Sequence, residues 1–561
     1  MEGLSNFLAV SNGILWAEPV LYTLLGTGVL FTIWSGFAQY RALTHGTAVV
    51  RGKYDNPDDP GAISHFQALS AALSATVGLG NIGGVALAIA LGGPGAVFWM
   101  WIVGLVGMAI KITEVTLSML YRNTDDPDNP HGGPMWVITK GLPEIAPGLA
   151  GVGKTIGVIF CLTLLVSTAT GGNMFQAWNV GEITEAYFGV PSIVTGIILA
   201  VIVGSVIIGG IKRIGAVAGT LVPFMVALYL IAGTYVLIVN ADQIPAMFAL
   251  IITGAFNPQE ATGAFIGGTV AYGFLIGMKR ALFSNEAGQG SSPIAHSAAK
   301  TDEPVREGVV AGLEPFIDTI VVCTFTALII LSTGVWNRSA DGVMTTEPFI
   351  AKVSEGVWQI ESTPAPVNDT IEVGTQVYVI VEADPNDSTG NNLHKVSGTI
   401  VEGPTGPLVE FAPFESQGGP AMTDLGLYTS YVGATMTAAA FDSVAPGLGM
   451  WLVTIASWLF AISTMISWSY YGEQGMVYLA GEKSVLPYKI VFCGLIILAT
   501  FGLIETDVDL DNMTGVGTGV MLFANVPIMW IMGYKAMNAY HAYIARLRSG
   551  EVDAENASAT S

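Results

Sequence analysis

Eleven stretches of the chain are apolar for long enough to cross a bilayer. They lie near 16–38, 66–92, 94–121, 155–176, 191–211, 214–239, 262–283, 310–334, 448–470, 485–503 and 515–541. A spanning helix takes about 20 such residues, so the pattern predicts an all-α polytopic membrane protein with eleven transmembrane helices. The second stretch, FQALSAALSATVGLGNIGGVALAIALG (66–92), breaks its own rule: Gly78, Gly80, Gly83 and Gly84 crowd its centre around Asn81. Each glycine costs about 1 kcal/mol against alanine in a helix interior. Backbone released from a helix at membrane depth persists only where protein or a water-filled cavity satisfies it. The stretch therefore reads as two half-helices with an unwound middle. Carbonyls left over near Ser74 to Val77 would suit a small cation, and the new helix start beyond them an anionic group. Asn81 can add a side-chain oxygen. The competing reading is close helix packing by small residues.

The seventh stretch, ATGAFIGGTVAYGFLIGMKRALF, is also interrupted by glycine, at Gly267, Gly268, Gly273 and Gly277. With the first span set aside, ten remain, and the first and sixth of these are the interrupted ones. That is the layout of a 5+5 inverted repeat preceded by an extra N-terminal helix. Between spans eight and nine the apolar pattern stops. TQVYVIVEA (375–383) and HKVSGTIVEG (394–403) alternate at the period of a strand, joined by the turn-rich DPNDSTGNN. A small β-rich extracellular insertion is expected, carrying N-x-[ST] triplets at Asn337, Asn368 and Asn386. The chain then divides into 1–60 (extra helix and cytoplasmic loop), 61–334 (first repeat and start of the second), 335–425 (insertion), 426–545 (rest of the second repeat) and 546–561 (acidic cytoplasmic tail).

Composition agrees. The mean hydropathy is +0.58, and charged residues make up 11% of the chain, against about 25% in soluble proteins. Residues 1–15 lack the basic start of a cleavable signal. Basic residues favour the cytoplasmic side of short loops. With the N-terminus outside and the C-terminus inside, nearly all of them, including Lys279 and Arg280, fall on the inner face, while Arg338, Lys352 and Lys395 lie in the insertion. A net charge of −22 disfavours nucleic-acid binding. It fits either a halophilic source or simply an acidic ectodomain. Cys161, Cys323 and Cys493 all fall within spans and imply no disulfide framework.

Two motifs mislead. GLAGVGKT (148–155) matches a nucleotide-binding P-loop letter for letter, yet no strand precedes it and a membrane span follows. Gly78-x-Gly80-x-x-Gly83 has dinucleotide-fingerprint spacing at membrane depth, again without a strand. No nucleotide is expected, and no metal-ligand spacing or nucleophile elbow supports an enzyme. FAISTMISWSY (460–470) sets Ser463 and Thr464 in an apolar span with Trp468 one turn on. Their hydroxyls would serve either as hard ligands for sodium or as partners of their own helix carbonyls. Asn173 and Gln176 in GGNMFQA read equally as substrate ligands or as ties between helices. Glu286, Glu314 and Asp318 stand at or near membrane depth, where acids are functional or paired by default. Lys111 is a candidate partner for the last two.

The stretches SATVGLGNIGGVALAIALGGPGAVFWMW (74–101), HGGPMW (131–136), FSNEAGQGSSPIAHSAAKTDEPVREG (283–308), FIDT (316–319) and SWSYYGE (467–473) resemble the alanine/glycine:cation symporter family. The resemblance covers nearly all the chain except the insertion and the termini. It implies a leucine-transporter-like fold with one extra helix, and sodium-coupled uptake of alanine or glycine without a bound cofactor. It further implies that Thr76, Gly80 and Asn81 contact the amino acid, that Gly78 and Leu79 open the backbone, and that Gln176, Gly277, Thr464 and Trp468 complete the pocket. Sodium would take oxygens near Ser74 and Val77, the Phe460 carbonyl and the hydroxyls of Ser463 and Thr464. A proton-coupled carrier, a channel, or a receptor using the insertion are the alternatives. The sequence leaves open alanine against glycine, stoichiometry and oligomeric state.

Overall fold

In lipid every backbone N–H and C=O must be satisfied within the protein, so long apolar segments have little choice but to be helical. The computed structural model describes residues 2–366, 368, 371–404, 406–431, 433–502 and 507–559. Among the described residues seven helical stretches are each long and apolar enough to cross a membrane: Asn6–Trp34, Gly95–Tyr121, Pro147–Phe188, Gly210–Val239, Pro304–Thr333, Leu448–Ala480 and Leu510–Ser549. The pair His65–Thr76 and Gly80–Gly92, bent by 55°, makes an eighth. The other three expected spans are helices of only 15 or 16 residues, Ser192–Ile207, Val270–Asn285 and Val485–Ala499. At 1.5 Å per residue these reach about 22–24 Å, short of the ~30 Å hydrocarbon core. Every expected span thus has a helical counterpart, and eight reach spanning length.

The first interruption lies where the glycines put it. Ser64 opens the half-helix with a capping box: its hydroxyl accepts from the Gln67 N–H at 3.3 Å while the Gln67 side chain accepts from the Ser64 N–H at 3.1 Å. The helix ends at Thr76, Val77 is extended, and a wide helical turn resumes over Gly80–Gly84 before Val85–Gly92.

The second interruption is displaced from its expected position. Val270–Asn285 runs unbroken through Gly273 and Gly277. The chain breaks after it, at Glu286 (φ 55°), Gly288 (φ 86°) and Gly290 (φ 81°), before the short helix Ser292–His296. Left-handed backbone favours glycine, which FSNEAGQGSSP supplies at two of the three positions beside a proline, while Glu286 adopts it without one. Gly273 and Gly277 instead let the helix lie directly on the neighbouring backbone. A Cβ would stand 2.9 Å from the Gly92 carbonyl oxygen at Gly273, and 2.3 Å from that of Ala96 at Gly277. That is small-residue packing between membrane helices.

The insertion contributes the strands. Gln376–Asn386, Asn391–Gly403 and Gly406–Phe411 form an antiparallel core, flanked by Gly426–Thr429 and Gly342–Val343 on one side and Thr363–Pro364 on the other. Ile350–Ser354, Val357–Ile360 and Phe414–Glu415 make a second small sheet. Val377, Val379, Val381, Val396, Ile400, Val409 and Phe411 share one buried cluster, the alternating face that the sequence predicts. The sheet sits on the loop before the second broken helix. Ser388 O accepts from the Thr269 N–H at 3.0 Å, and the Asn391 amide donates to Ile266 O at 2.8 Å. Lys279 and Arg280 therefore lie on the insertion's side of the break, inside a helix. The expectation that they fall on the inner face, with the insertion outside, does not fit their place between the insertion and the break.

Candidate functional site

The unwound stretch faces the middle of Leu448–Ala480, whose Phe460, Ser463, Thr464 and Trp468 are all buried. The two helices exchange polar bonds across the gap. The Ser74 hydroxyl donates to the Ser463 carbonyl at 2.7 Å, and the Thr464 hydroxyl donates to the Ser74 carbonyl at 3.3 Å. The Ser463 hydroxyl donates to Phe460 O at 2.9 Å. Carbonyls of Ser74 and Phe460 and hydroxyls of Ser463 and Thr464 thus form two oxygen pairs on adjacent residues of one helix, in a buried patch near the extended Val77. Net charge there is zero, and every donor atom is oxygen.

Beside this patch is a cavity walled by Thr76, Gly78, Leu79, Gly80, Gln176, Thr464 and Trp468. About 50 Å³ is open to the centres of water-sized spheres, room for roughly three to five such groups. The remaining lining comes from Ala75, Gly171, Phe283, Ser284, Glu286, Gln289, Thr514 and Thr518. Of these only Glu286 was singled out by sequence reasoning. The signal for the two threonines is T-G-V-G-T-G (514–519), which puts hydroxyls at i and i+4 within an apolar span. Leu79 and Gly80 head the resumed helix, where N–H groups lack intrahelical partners. The side-chain oxygens of Gln176 and Gln289 are buried with no hydrogen-bond partner among the described residues. The cavity thus offers donors on one wall and acceptors on another.

Two expected site residues lie elsewhere. Asn81 turns away from the cavity into protein. Its carbonyl oxygen accepts from the Gly78 N–H at 2.8 Å, and its amide donates to Asp318 Oδ1 at 2.5 Å and Ser284 Oγ at 3.1 Å. It fixes the shape of the unwound turn from behind. Gly277 packs on Ala96 and Trp99 and does not line the cavity. Gly277→Ala is expected to destabilise the protein by about 1–3 kcal/mol through overpacking. A thermal unfolding midpoint equal to that of the native chain would overturn this.

The acids at membrane depth separate into two groups. Asp318 is held by neutral donors: Asn81, the Ser284 hydroxyl at 2.8 Å and the Thr319 hydroxyl at 2.8 Å. Glu314 pairs with Lys111 at 3.3 Å. Asn173, singled out beside Gln176, donates to Phe492 O at 2.8 Å and ties helices together.

The model of the family described as "Sodium:alanine symporter family" matches residues 1–361 and 421–557. The unmatched 362–420 fall inside the strand-rich insertion. The chain is 37% identical over 481 residues to the sodium/alanine symporter AgcS of Methanococcus maripaludis, covering 86% of this chain and 85% of that protein. It is 32% identical over 551 residues to the putative sodium/proton-dependent alanine carrier protein YrbD of Bacillus subtilis, covering 98% and 94%. Among solved structures, that of MhsT in complex with L-phenylalanine aligns with 84% of this chain and 89% of its own, at 13% identity and a TM-score of 0.48.

Proposed function

The chain belongs to the sodium:alanine symporter family, a family of membrane transporters rather than enzymes, and from that premise we propose that it couples inward sodium movement to the uptake of alanine or glycine by alternating access. The observation that carries this reading is the pairing of Ser74, in the last turn of the half-helix just before the unwound stretch, with Ser463 and Thr464 across bonds of 2.7 and 3.3 Å. Sodium is close in size to calcium, whose oxygens stand at about 2.3–2.6 Å. Neighbouring ligands of such an ion are therefore about 3.3–3.7 Å apart. The Thr464–Ser74 oxygen spacing of 3.3 Å fits as it stands. The 2.9 Å contact between Ser463 and Phe460 opens slightly when the hydroxyl turns to the ion. Ser74, Val77, Phe460, Ser463 and Thr464 are the proposed ligands.

The amino acid lies in the adjoining cavity. Its carboxylate meets the N–H groups of Leu79 and Gly80 and the positive end of the resumed helix. Its ammonium meets the free oxygens of Gln176 and Gln289. Thr76, Gly78 and Trp468 close round a side chain no larger than a methyl group, and Asn81 keeps the turn in shape. Sodium moving with a potential of 100 mV supplies about 2.3 kcal/mol per charge, close to a fifty-fold accumulation before any concentration gradient acts. The N-terminus and the insertion face outward and the C-terminus inward in this reading, so the three sequons and much of the acidic charge lie outside.

Radiolabelled alanine uptake into proteoliposomes tests the proposal. Saturable uptake that requires an inward sodium gradient is expected, with potassium unable to replace sodium at fixed pH. Flux that neither saturates nor follows the gradient would mark a channel. Ser463→Ala removes one ion ligand, and bonds to charged groups contribute about 1.5–3 kcal/mol. The half-saturating sodium concentration is expected to rise roughly tenfold to a hundredfold, and an unchanged value would remove Ser463 from the ion site.

A further inference from the structure

A chain of buried ionisable groups runs from the cavity to the Ser64 end of the first broken span. Glu286 lines the cavity. Beneath it Lys111 faces Glu286, pairs with Glu314 at 3.3 Å and stands 3.9 Å from Glu114. Glu314 Oε1 meets His296 Nε2 at 2.7 Å and accepts from the Ser292 hydroxyl at 2.7 Å. The other nitrogen of His296 meets Glu307 at 2.5 Å, and the second oxygen of Glu307 meets His65 Nδ1. All of these side chains are buried. His65 begins the His65–Thr76 half-helix, and His296 ends the short helix beyond the second break.

The charges do not balance. Glu114, Glu286 and Glu314 face Lys111, and Glu307 faces Arg122 at the cluster's edge, which Asp59 and Asp302 also face and which donates to the carbonyls of Ser297, Ala299, Pro60 and Thr301. The Tyr471 hydroxyl, buried and without a hydrogen-bond partner among the described residues, looks onto Glu286, Glu314 and Glu114. Asp318 also faces Glu286 and Lys111 and, like Glu286 and Glu114, is held by neutral donors. At least two negative charges remain unmatched unless protons reside within the cluster, and burying unmatched charge is strongly unfavourable.

We propose that these side chains form a proton-binding cluster, distinct from the sodium site, and that its proton occupancy latches the His65 end of the first broken span shut. With His296 as an imidazolium, Glu307 ties the half-helix to the segment after the second break, through a charge-assisted bond to His296 and its contact with His65 Nδ1. Beside it runs a neutral clasp: the Ala62 N–H donates to Ala298 O at 2.8 Å and the Lys300 N–H to Ile63 O at 2.8 Å. Loss of the protons leaves an anion between two neutral rings, which water entering the mouth would relieve. The latch lies on the side of the break opposite the insertion, so it gates the exit path. That gating role rests on the symport reading; the proton site itself does not.

The test is hydrogen exchange of the full chain in lipid nanodiscs at pH 6 and pH 8.5, corrected for intrinsic rates, followed in peptides covering 62–76. Protection in the native protein is expected to fall at least tenfold at the higher pH, and less than threefold in His65→Gln and in His296→Gln. His65→Gln removes a single contact at the cluster's edge and keeps the test usable where His296→Gln does not fold. Equal protection at both pH values in the native chain, or an undiminished change in His65→Gln, would overturn the proposal. Sodium-driven alanine uptake measured on the same preparation at one pH separates the two readings. Uptake with flat protection removes the proton site alone, and pH-dependent protection without uptake removes the symport reading alone.

Discussion

Asn81→Ala is expected to abolish sodium-driven alanine uptake while leaving a folded, membrane-inserted protein. The side chain is not itself part of the cavity lining, yet it bonds Gly78 and Ser284, which are, and so holds the turn that shapes it. Its oxygen takes the Gly78 N–H, and its amide bridges to Asp318 and Ser284 on two other segments. Truncation leaves the Gly78 N–H and a carboxylate oxygen of Asp318 short of a partner, each at about 1–3 kcal/mol. The cheapest relaxation rotates Gly78 and Leu79 toward new partners. That removes the N–H groups proposed for the carboxylate and shifts Val77 away from Thr464. Ångström-scale displacement of such groups is enough to cost a hundredfold or more. Uptake in proteoliposomes, with monodispersity in detergent as the control for folding, reads the result. Undiminished alanine uptake would show that the turn does not depend on Asn81, and the site assignment would fall with it.

Lys111→Met is expected to have the largest effect on stability. Lys111 is fully buried and, among the described residues, is the one lysine facing Glu314, Glu114 and Glu286. Breaking a buried ion pair from one side costs about 3–5 kcal/mol, because the partner charge stays behind. Here several carboxylates stay behind. The variant should lose most of its folded yield, read as the monodisperse fraction after solubilisation and as the thermal unfolding midpoint. Adding Glu314→Gln removes the stranded charge and should restore part of the loss, since a neutral replacement of both partners is far better tolerated. A single variant as stable as the native protein would show that the cluster is already neutral around Lys111.

The first broken span was legible because its signal is local. Four glycines and an amide within seven residues cannot remain helical cheaply, whatever surrounds them. The second break was not, because glycine has two uses in a membrane helix and the sequence does not say which applies. At Gly273 and Gly277 it permits close approach to Gly92 and Ala96; at Gly288 and Gly290 it permits left-handed backbone. The Ser463–Thr464 pair was legible as polarity out of place, but its partner, the carbonyl of Ser74, is 390 residues away in the chain.

By itself, then, the sequence determined the membrane-helical class, the strand-rich insertion, the unwound turn at Val77–Leu79 and the family. These follow from composition, local periodicity and long matching motifs, which no neighbour can override in lipid. Only the tertiary structure decided that Asn81 stands behind the cavity, that Gly277 is packing, that Gln289, Thr514 and Thr518 line the site, and that His65, His296, Glu307, Glu314 and Lys111 meet. Those outcomes depend on which faces of distant helices pack together, and that is set by the sum of many weak contacts rather than by any motif.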